Sequence, residues 1–315
     1  MKSISLLATL PAAVCLATAF PAAADENLLG YISGAETLPQ GASEAYLFVT
    51  RRWDKGHGDY TAHDYSLEYE RGLTHRLTGG IELKGQSIDA SGLVIDGYMP
   101  GPEQYGIKAS GVEAKLKYNF LSPAKDDIGL STTFSLQQNW LDPHSGKDKD
   151  TTKFELGLQL QKFLLDDQLS LMLNTGLEGT YAKRDPLDAA TQASADVAMK
   201  ALTGDPGATF EWPTEPEMEI EFKLGGGMSY RFAPNWYVGA ETLYETEFET
   251  EVGQERWSWF AGPSIHYGGK KWWATVTYFN QLAGGREQYI NQPDDDLHLI
   301  EKTRHELRFK LGYNF

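Results

Sequence analysis

Residues 305–315 have the sequence HELRFKLGYNF, in which two kinds of side chain alternate. Large apolar side chains occupy the odd positions from Leu307 to Phe315, and charged, polar or small residues occupy the even positions. Successive side chains of a β-strand point to opposite faces, so this pattern predicts a strand with one apolar and one polar face. Such a strand needs a nonpolar neighbour on one side only.

The same period of two recurs along most of the chain. Residues 64–70 and 153–160, for example, alternate polar, charged or glycine residues with Tyr, Phe and Leu. The pattern predicts twelve strands, at residues 43–54, 59–71, 77–88, 111–120, 127–140, 152–164, 168–182, 217–232, 235–248, 257–267, 271–282 and 304–315. The connections between them alternate in length. Short turns follow the even-numbered strands, and long loops, above all 89–110, 183–216 and 283–303, follow odd-numbered strands.

These features predict an all-β fold, a closed antiparallel transmembrane β-barrel of about twelve strands. Lipid can cover an apolar strand face but cannot satisfy the backbone groups of an open sheet edge, so the sheet must close. An even number of strands with short periplasmic turns and long extracellular loops is typical of bacterial outer-membrane barrels. The ambiguous start of the first strand leaves counts of ten and fourteen open.

A soluble β-sandwich also alternates, but two features argue against it. Many of the predicted strands have ten or more residues. Aromatic residues also gather at the strand ends, as expected where rings meet lipid headgroups. We expect two girdles. The one at the long-loop rim is formed by Trp53, Tyr60, Trp140, Tyr181 and Trp257. The one at the short-turn rim is formed by Tyr118, Phe120, Phe163, Trp236, Tyr267 and Trp272.

Composition excludes other classes of protein. The chain of 315 residues has 28 Lys and Arg against 44 Asp and Glu, a net charge of −16, so we expect no nucleic-acid partner. A mean hydropathy of −0.42 is too polar for a bundle of membrane helices. Residues 1–24 read as a signal peptide, with Lys2 before an apolar run and Ala22-Ala23-Ala24 at its end. The single Cys15 follows Val14, which argues against a lipoprotein.

The domain organisation follows from this. We expect a signal peptide at 1–24, an N-terminal periplasmic segment at 25–42 and the barrel at 43–315. Residues 27–42 leave two alternatives open, since they could pair with the barrel or plug it.

Three motifs in the first quarter of the chain carry a family resemblance: ETLPQG at 36–41, RRWDKG at 51–56 and LEYERGLTHRL at 67–77. The chain resembles an uncharacterised family of proteobacterial outer-membrane barrels, distantly similar to outer-membrane channels of the aromatic-degradation type. The resemblance implies a channel for small, aromatic or otherwise hydrophobic solutes. Tyr313 and Phe315 resemble the terminal signal that the barrel-assembly machinery is thought to recognise. The implied partners are that machinery, outer-membrane lipid and lipopolysaccharide.

Placing the polar face of each strand inward gives a lumen of mixed charge. It is either a hydrated pore that passes small solutes or a cross-linked polar core. We expect a narrow or gated channel; the alternative is a structural or surface-interaction barrel without a conducting pore. The lumen-lining candidates are Glu68, Glu70, Glu82, Lys84, Glu113, Lys115, Lys117, Glu155, Glu219, Glu221, Lys223, Arg231, Glu241, Arg308 and Lys310.

Two loops have features of their own. In the loop at 183–216, Asp185 and Pro186 suit a helix start, residues 187–202 are rich in Ala, and Gly204 suits a stop. We favour a cap on the rim over a constriction of the mouth. Asp294-Asp295-Asp296 reads as a solvated turn, with weak cation binding as the alternative.

Enzyme interpretations find little support. Ser264 and His266 are two residues apart on one predicted inner face, but no orienting partner can be identified, so a lipid hydrolase is a lesser alternative. Gly225-Gly226-Gly227 lies within a strand and suits relief of crowding or a bend in the barrel wall better than phosphate binding. The sequence has no HExxH motif and no Cys/His metal spacing. We expect no catalytic residues, no metal and no cofactor.

Overall fold

A computed structural model describes residues 27–249 and 253–315. The predicted signal peptide and Cys15 lie outside the described residues. Twelve strands and one helix follow in chain order: β1 (Ser43–Trp53), β2 (Asp59–Gly72), β3 (Leu77–Ser91), β4 (Glu103–Leu121), β5 (Gly129–Leu141), β6 (Asp148–Leu164), β7 (Leu169–Arg184), α1 (Ala189–Thr203), β8 (Glu217–Ala233), β9 (Trp236–Glu249), β10 (Gly253–Gly268), β11 (Trp272–Gly285) and β12 (His305–Asn314).

The strands form one closed antiparallel barrel, which confirms the predicted fold. Each strand pairs with its neighbours in sequence, and β12 pairs with β1 to close the sheet. The closing register runs from Glu44 opposite Asn314 to Trp53 opposite His305. The wall therefore has no free edge, as a lipid-facing sheet requires.

All twelve predicted strands are present, and β4 departs most from its predicted bounds. It begins at Glu103 instead of residue 111. Its pairing with β3 shifts register twice, between Lys84 and Gly85 and between Gln86 and Ile88. Because a bulge moves the following side chains to the other face, strict alternation does not extend through this part of the strand.

The outer face of the wall is apolar and the inner face is polar, which is the reverse of a water-soluble protein. Outward-facing Ile81 and Leu156 are 63% and 56% exposed, whereas inward-facing Glu68 and Lys310 are 1% and 7% exposed. An apolar belt of this size is stable only in nonpolar surroundings. Across the part of the chain described, no helix is both long and apolar enough to span a membrane.

Aromatic rings gather near both rims of this belt. At the short-turn end, Tyr118 packs edge-on against Phe120, and Trp236 packs against Tyr267. At the long-loop end, Trp140 and Tyr181 are exposed. Tyr60 is a correction to the expected outer girdle, because its ring points inward and is buried, and its hydroxyl donates to the His144 carbonyl at 3.0 Å.

Helix α1 lies on the rim, in the loop that joins β7 to β8. Its N-cap is Asp188, whose carboxylate accepts from the backbone N–H of Ala190 and Thr191, both at 3.0 Å. The predicted cap at Asp185 is wrong, because the helix begins at Ala189 and Asp188 directly precedes its first turn. The predicted stop is present, with Gly204 in the left-handed region at φ 71°.

This loop packs sideways on the neighbouring loop between β3 and β4. Met199 and Phe210 bury apolar surface together with Val94. The Gly97 N–H also donates to the Glu211 carbonyl at 2.9 Å. The arrangement is that of a rim cap.

A different loop folds into the mouth. Residues 286–304, which we call the mouth loop, bury Tyr289, Leu299 and Ile300 against Ile95 and Met99 of the β3–β4 loop. Apolar packing between the two loops thus holds a long connection over the long-loop end of the barrel.

Residues 27–35 cross the interior of the barrel, and we call them the strap. Leu29, Ile32 and Ala35 of the strap are buried. The strap thus takes the plugging alternative and lies in the lumen, whereas we expected residues 25–42 to form a periplasmic segment. Residues 36–42 then lead to β1 along the short-turn end, where the Gly41 N–H donates to the Gly72 carbonyl at 2.8 Å.

Candidate functional site: the barrel lumen

Glu241 on β9 is the main anchor of the strap. Its Oε1 accepts from the Gly30 N–H at 2.7 Å, and its Oε2 accepts from the N–H groups of Tyr31 and Ile32 at 2.7 and 3.0 Å. Thr277 on β11 adds a hydroxyl donor to Oε1 at 2.7 Å. A buried carboxylate is stable when several donors satisfy it, and here the strap supplies most of them.

Cations on other strands bind the strap carbonyls. Lys117 Nζ on β4 donates to the Gly34 carbonyl at 2.8 Å. Arg308 on β12 donates to the Gly30 carbonyl at 3.3 Å, and Lys310 Nζ lies 3.4 Å from the Leu29 carbonyl. Cations on β4 and on β12, which are separated by three strands, therefore bind one peptide segment.

Side-chain amides bind the remainder of the strap backbone. Asn174 on β7 accepts from the Ser33 N–H at 2.7 Å and donates to the Ser33 carbonyl at 3.0 Å. Gln161 accepts from the Ala35 N–H at 2.6 Å, and Asn119 donates to the Ala35 carbonyl at 2.7 Å. These contacts recognise peptide groups and do not depend on the side chains of the strap.

The strap side chains fill spaces left by inward-facing glycines. A β-carbon on Gly225 would overlap Ile32, and one on Gly227 would overlap Leu29. The middle glycine, Gly226, would meet nothing closer than 3.8 Å. The glycines at 225 and 227 thus make room for the strap.

Tyr31 is held by its ring and by its hydroxyl. Its ring stacks on Phe279 with centroids 4.1 Å apart and planes 7° apart. The hydroxyl donates to Glu306 Oε2 at 2.6 Å. Stacking and a charge-assisted hydrogen bond together fix the ring against the wall.

The strap separates two cavities. The inner cavity, between the strap and the loops of the mouth, has a volume of about 700 Å³. The short-turn cavity, at the other end, has a volume of about 1460 Å³. Gly30 to Ser33 line the inner cavity, whereas Glu36 to Pro39 line the short-turn cavity. The strap and the residues that follow it are therefore the partition between them.

Most of the lumen-lining candidates line the inner cavity. The exceptions are Arg231, which lines the short-turn cavity, and Glu241, which the strap covers. Tyr313 and Phe315 lie at the short-turn end with their rings 5.2 Å apart, and their role in assembly stays a prediction. The candidates around the inner cavity are Glu68, Glu70, Glu82, Lys84, Glu113, Lys115, Lys117, Glu155, Glu219, Glu221, Lys223, Arg308 and Lys310.

On the wall formed by β2, β3 and β4, two central lysines pair with carboxylates of their own strand or of another strand of this wall. Lys84 lies 2.8 Å from Glu113 and 3.2 Å from Glu82. Lys115 lies 2.9 Å from Glu70 and also pairs with Glu68. These pairs tie three strands together inside the barrel.

The opposite wall has a second network, centred on Lys223 of β8. Its Nζ lies 2.7 Å from Glu178 and 3.1 Å from Glu155. Glu178 also binds Lys153 at 2.6 Å. Opposite charges on adjacent strands reduce the cost of removing each from bulk water.

The charges that hold the strap differ from these networks. Among the described residues, no ion pair within 4 Å involves Glu241, Glu306, Arg308 or Lys310. Arg308 instead donates to Thr50 at 2.8 Å and binds the strap. The lumen therefore has two sets of charges, one paired across strands and one occupied by the strap.

The mouth loop enters the lumen through Lys302. Its Nζ lies 2.7 Å from Glu245 on β9 and 3.9 Å from Glu221 on β8. Burial alone would lower the pKa of Lys302, but these two carboxylates outweigh it and the pKa is raised. Glu301 beside it pairs with Arg256. The mouth loop is thus joined to the wall network by charge.

Lys55, in the loop between β1 and β2, fastens the other side of the mouth loop. Its ammonium donates to three backbone carbonyls, those of Leu299, Ile300 and Lys302, at 3.2, 2.7 and 3.0 Å. In return, the Tyr289 hydroxyl donates to the Lys55 carbonyl at 2.6 Å. A buried ammonium with three acceptors is well satisfied, so these bonds hold the loop against the barrel.

Ser264 and His266 lie inside the wall near the strap. Both side chains are buried, and His266 Nδ1 lies 2.8 Å from the Thr275 hydroxyl, which donates to the Asn27 carbonyl at 2.7 Å. Within the described ranges, no group of three or more His, Cys, Asp or Glu side chains is arranged to hold a metal ion. In the acidic turn, Asp294 pairs with Arg304.

Residues 21–315 match a family of unknown function, DUF6662. The chain belongs to this family. No curated protein sequence matches the DUF6662 chain.

Solved structures similar to this DUF6662 protein are outer-membrane barrels. The COG4313 outer membrane channel from Pseudomonas putida F1 has a TM-score of 0.57 and 12% identity, over 89% of this chain and 98% of that one. A KdgM porin has a TM-score of 0.44 and 13% identity, over 86% and 99%. The translocator domain of autotransporter NalP from Neisseria meningitidis has a TM-score of 0.46 and 12% identity, over 87% and 88%. At 12% identity, the likeness to the COG4313 channel shows a shared fold alone, and the two likenesses with TM-scores below 0.5 carry no argument.

Sequence reasoning identified the charged wall of the DUF6662 barrel and left the strap as one of two alternatives. A usable signal is the apolar stretch at 28–32, LLGYI, which precedes the first strand and has no place in the outer belt. The mouth loop was missed. Its signal is the run LHLI at 297–300, four mostly apolar residues within a loop otherwise rich in Asp, Glu, Gln and Arg.

Proposed function

We propose that this DUF6662 protein is a gated outer-membrane channel for small solutes, exported with the help of residues 1–24. The observation that carries the proposal is that the strap lies between two cavities of about 700 and 1460 Å³, each lined by both polar and apolar side chains. Removal of residues 27–35 would join them along the barrel axis.

The way in which the strap is held supports a gate. Its backbone bonds between residues 30 and 35 run to side chains of the wall, such as Glu241 and Asn174, and it adds no strand to the sheet. A segment bound only through side chains can leave without disturbing the wall. The paired networks around Lys115 and Lys223 would remain intact and keep the lumen polar.

The test is conductance in a planar bilayer. We expect the refolded intact chain to show small or rare openings, and a variant lacking residues 27–35 to show frequent openings of larger conductance. Heat-dependent migration in a denaturing gel reports whether each protein has formed a barrel. If both fold and both stay silent, the channel proposal is wrong.

A second candidate is a surface-interaction barrel without a conducting pore. The observation that favours it is the folded surface at the long-loop end, where α1 packs with Val94 of the β3–β4 loop and the mouth loop covers the centre. Silence of the strap-deleted barrel in the same experiment would favour this candidate. We propose no enzymatic activity, because Ser264 and His266 are buried beside the strap.

A further inference from the structure

We infer that the part of the lumen wall now occupied by the strap is a binding site for short peptides, and that short peptides with aliphatic or aromatic side chains are solutes of the open barrel. This inference rests on the proposed channel function, because an external peptide reaches the site only when the strap leaves.

The first argument is that the site recognises peptide groups. Asn174 binds both the N–H and the carbonyl of Ser33, an arrangement that fits an amide and not a simple ion. Glu241 takes three successive N–H groups. None of these bonds depends on the identity of a strap side chain, so another peptide could form them.

The second argument is the sign of the charges. Carboxylates of Glu241 and Glu306 and cations of Arg308 and Lys310 face the same segment from β9 and β12. Such a mixture has no strong preference for a free anion or a free cation. It suits a neutral chain that offers N–H donors and carbonyl acceptors in turn.

The third argument is the shape of the apolar spaces. Leu29 contacts the wall at Gly227 and packs in a small cluster with Met172, while Ile32 lies against Gly225. Phe279 offers a flat surface on which Tyr31 stacks. The site thus provides two aliphatic pockets and one aromatic surface beside the groups that bind the backbone.

The tethered strap competes with any external peptide. An attached segment acts at a high effective concentration, in the millimolar range for a short linker, so a free peptide of similar affinity cannot displace it. The intact chain should therefore bind weakly or not at all, whereas a barrel without its strap should bind.

The experiment uses the chain lacking residues 27–35 and a fluorescent peptide of sequence NLLGYISGA with blocked ends, whose sequence is that of the strap. Fluorescence anisotropy in detergent should show saturable binding to the deletion variant and at least tenfold weaker binding to the intact chain. Glu241→Gln in the deletion variant should weaken binding at least tenfold. Glu219→Gln, in the same lumen but without a contact to the strap, is the matched control and should leave binding unchanged.

If the deletion variant does not fold, the intact chain with Leu29→Glu and Ile32→Glu replaces it, because these side chains do not fit the apolar pockets. A folded barrel without saturable peptide binding would overturn the inference, as would binding that Glu241→Gln leaves unaltered. Conductance of the same variant without peptide separates the two proposals. A conducting barrel that ignores the peptide removes only the peptide site, whereas silence in the bilayer removes the channel.

Discussion

The guanidinium of Arg308 lies over the ring of Tyr31, 3.7 Å from its centroid. Arg308 belongs to the wall and Tyr31 to the strap, so this contact joins the two parts that the proposed gate would separate. It also explains why Arg308 needs no carboxylate in the described structure, since an aromatic face and a carbonyl stabilise its charge.

Glu241→Gln should release the strap in the intact protein. The substitution removes the charge from bonds to three N–H groups, and hydrogen bonds to a charged group contribute about 1.5–3 kcal/mol each. We expect faster hydrogen exchange at Gly30, Tyr31 and Ile32, and more frequent channel openings. Glu219→Gln serves as the control and should keep the exchange of these amides slow. Unchanged exchange in the Glu241 variant would show that the carboxylate does not hold the strap.

Gly225→Val should expel or displace the strap, because its side chain would occupy the space of Ile32. Overpacking of this kind costs about 1–3 kcal/mol. Gly226→Val adds the same side chain on the open outer side and should have little effect on thermal unfolding. Combining Gly225→Val with Ile32→Ala should restore stability. Equal destabilisation by both valine variants would contradict the proposed fit of strap to wall.

Lys55→Met should loosen the mouth loop. The variant leaves the carbonyls of Leu299, Ile300 and Lys302 without their shared donor, and each buried unsatisfied group costs about 1–3 kcal/mol. Limited proteolysis should cut within residues 286–304 at least tenfold faster than in the unaltered protein. Lys125→Met, in an exposed turn at the opposite end, should leave the cleavage rate unchanged. A resistant loop in the Lys55 variant would show that apolar packing alone keeps it closed.

Acid pH should also open the mouth loop. His298 is 2% exposed, and its burial, with help from nearby Arg256, Lys302 and Lys55, holds its pKa well below the usual value. The open loop takes up a proton near pH 6.5 but the closed loop does not, so closure weakens as pH falls below that value. The slope for one histidine is at most about 1.4 kcal/mol per pH unit.

Proteolysis of the mouth loop between pH 7.5 and 5.5 measures this effect. His298→Gln should flatten the rise in cleavage as pH falls, whereas His57→Gln, at an exposed position of the neighbouring loop, should not. A His298 variant with the original pH dependence would assign the effect to another group.

Replacing Glu219 and Glu221 by Gln should reduce the cation preference of the strap-deleted barrel. Both residues line the inner cavity, and charged side chains around a narrow passage set its ion selectivity. We expect the permeability ratio of cations to anions to fall by about twofold or more. Glu211→Gln, in the loop outside the lumen, is the control. An unaltered ratio would mean that these two residues do not border the conducting path.

The wall of the barrel could be predicted from the sequence because its rule is local. Alternation at residues 305–315 needs only the opposed surroundings of the two strand faces, and it fixes which side chains point inward. It therefore places Glu68 and Lys223 in the lumen without any knowledge of their partners. The shifts in register beside Gly85 broke that local rule, which is why the start of β4 was misplaced.

The contents of the barrel could not be derived in the same way. The bond from Glu241 to Gly30 joins residues that are far apart in the chain, and no periodic pattern relates them. The inward glycines at 225 and 227 indicated relief of crowding, but only the fold shows that Leu29 and Ile32 fill the space. The position of the mouth loop likewise depends on Lys55, a residue in a different loop.

The seam between β1 and β12 has a consequence for assembly in the cell. The strap is joined to β1 by residues 36–42, and β1 pairs on its other side with β12, a strand from the far end of the polypeptide. A segment near the N-terminus thus fills the interior, and the C-terminal strand β12 closes the barrel by pairing with β1. During biogenesis the strap must either be in place before β12 pairs with β1 or enter the barrel afterwards through the short-turn end.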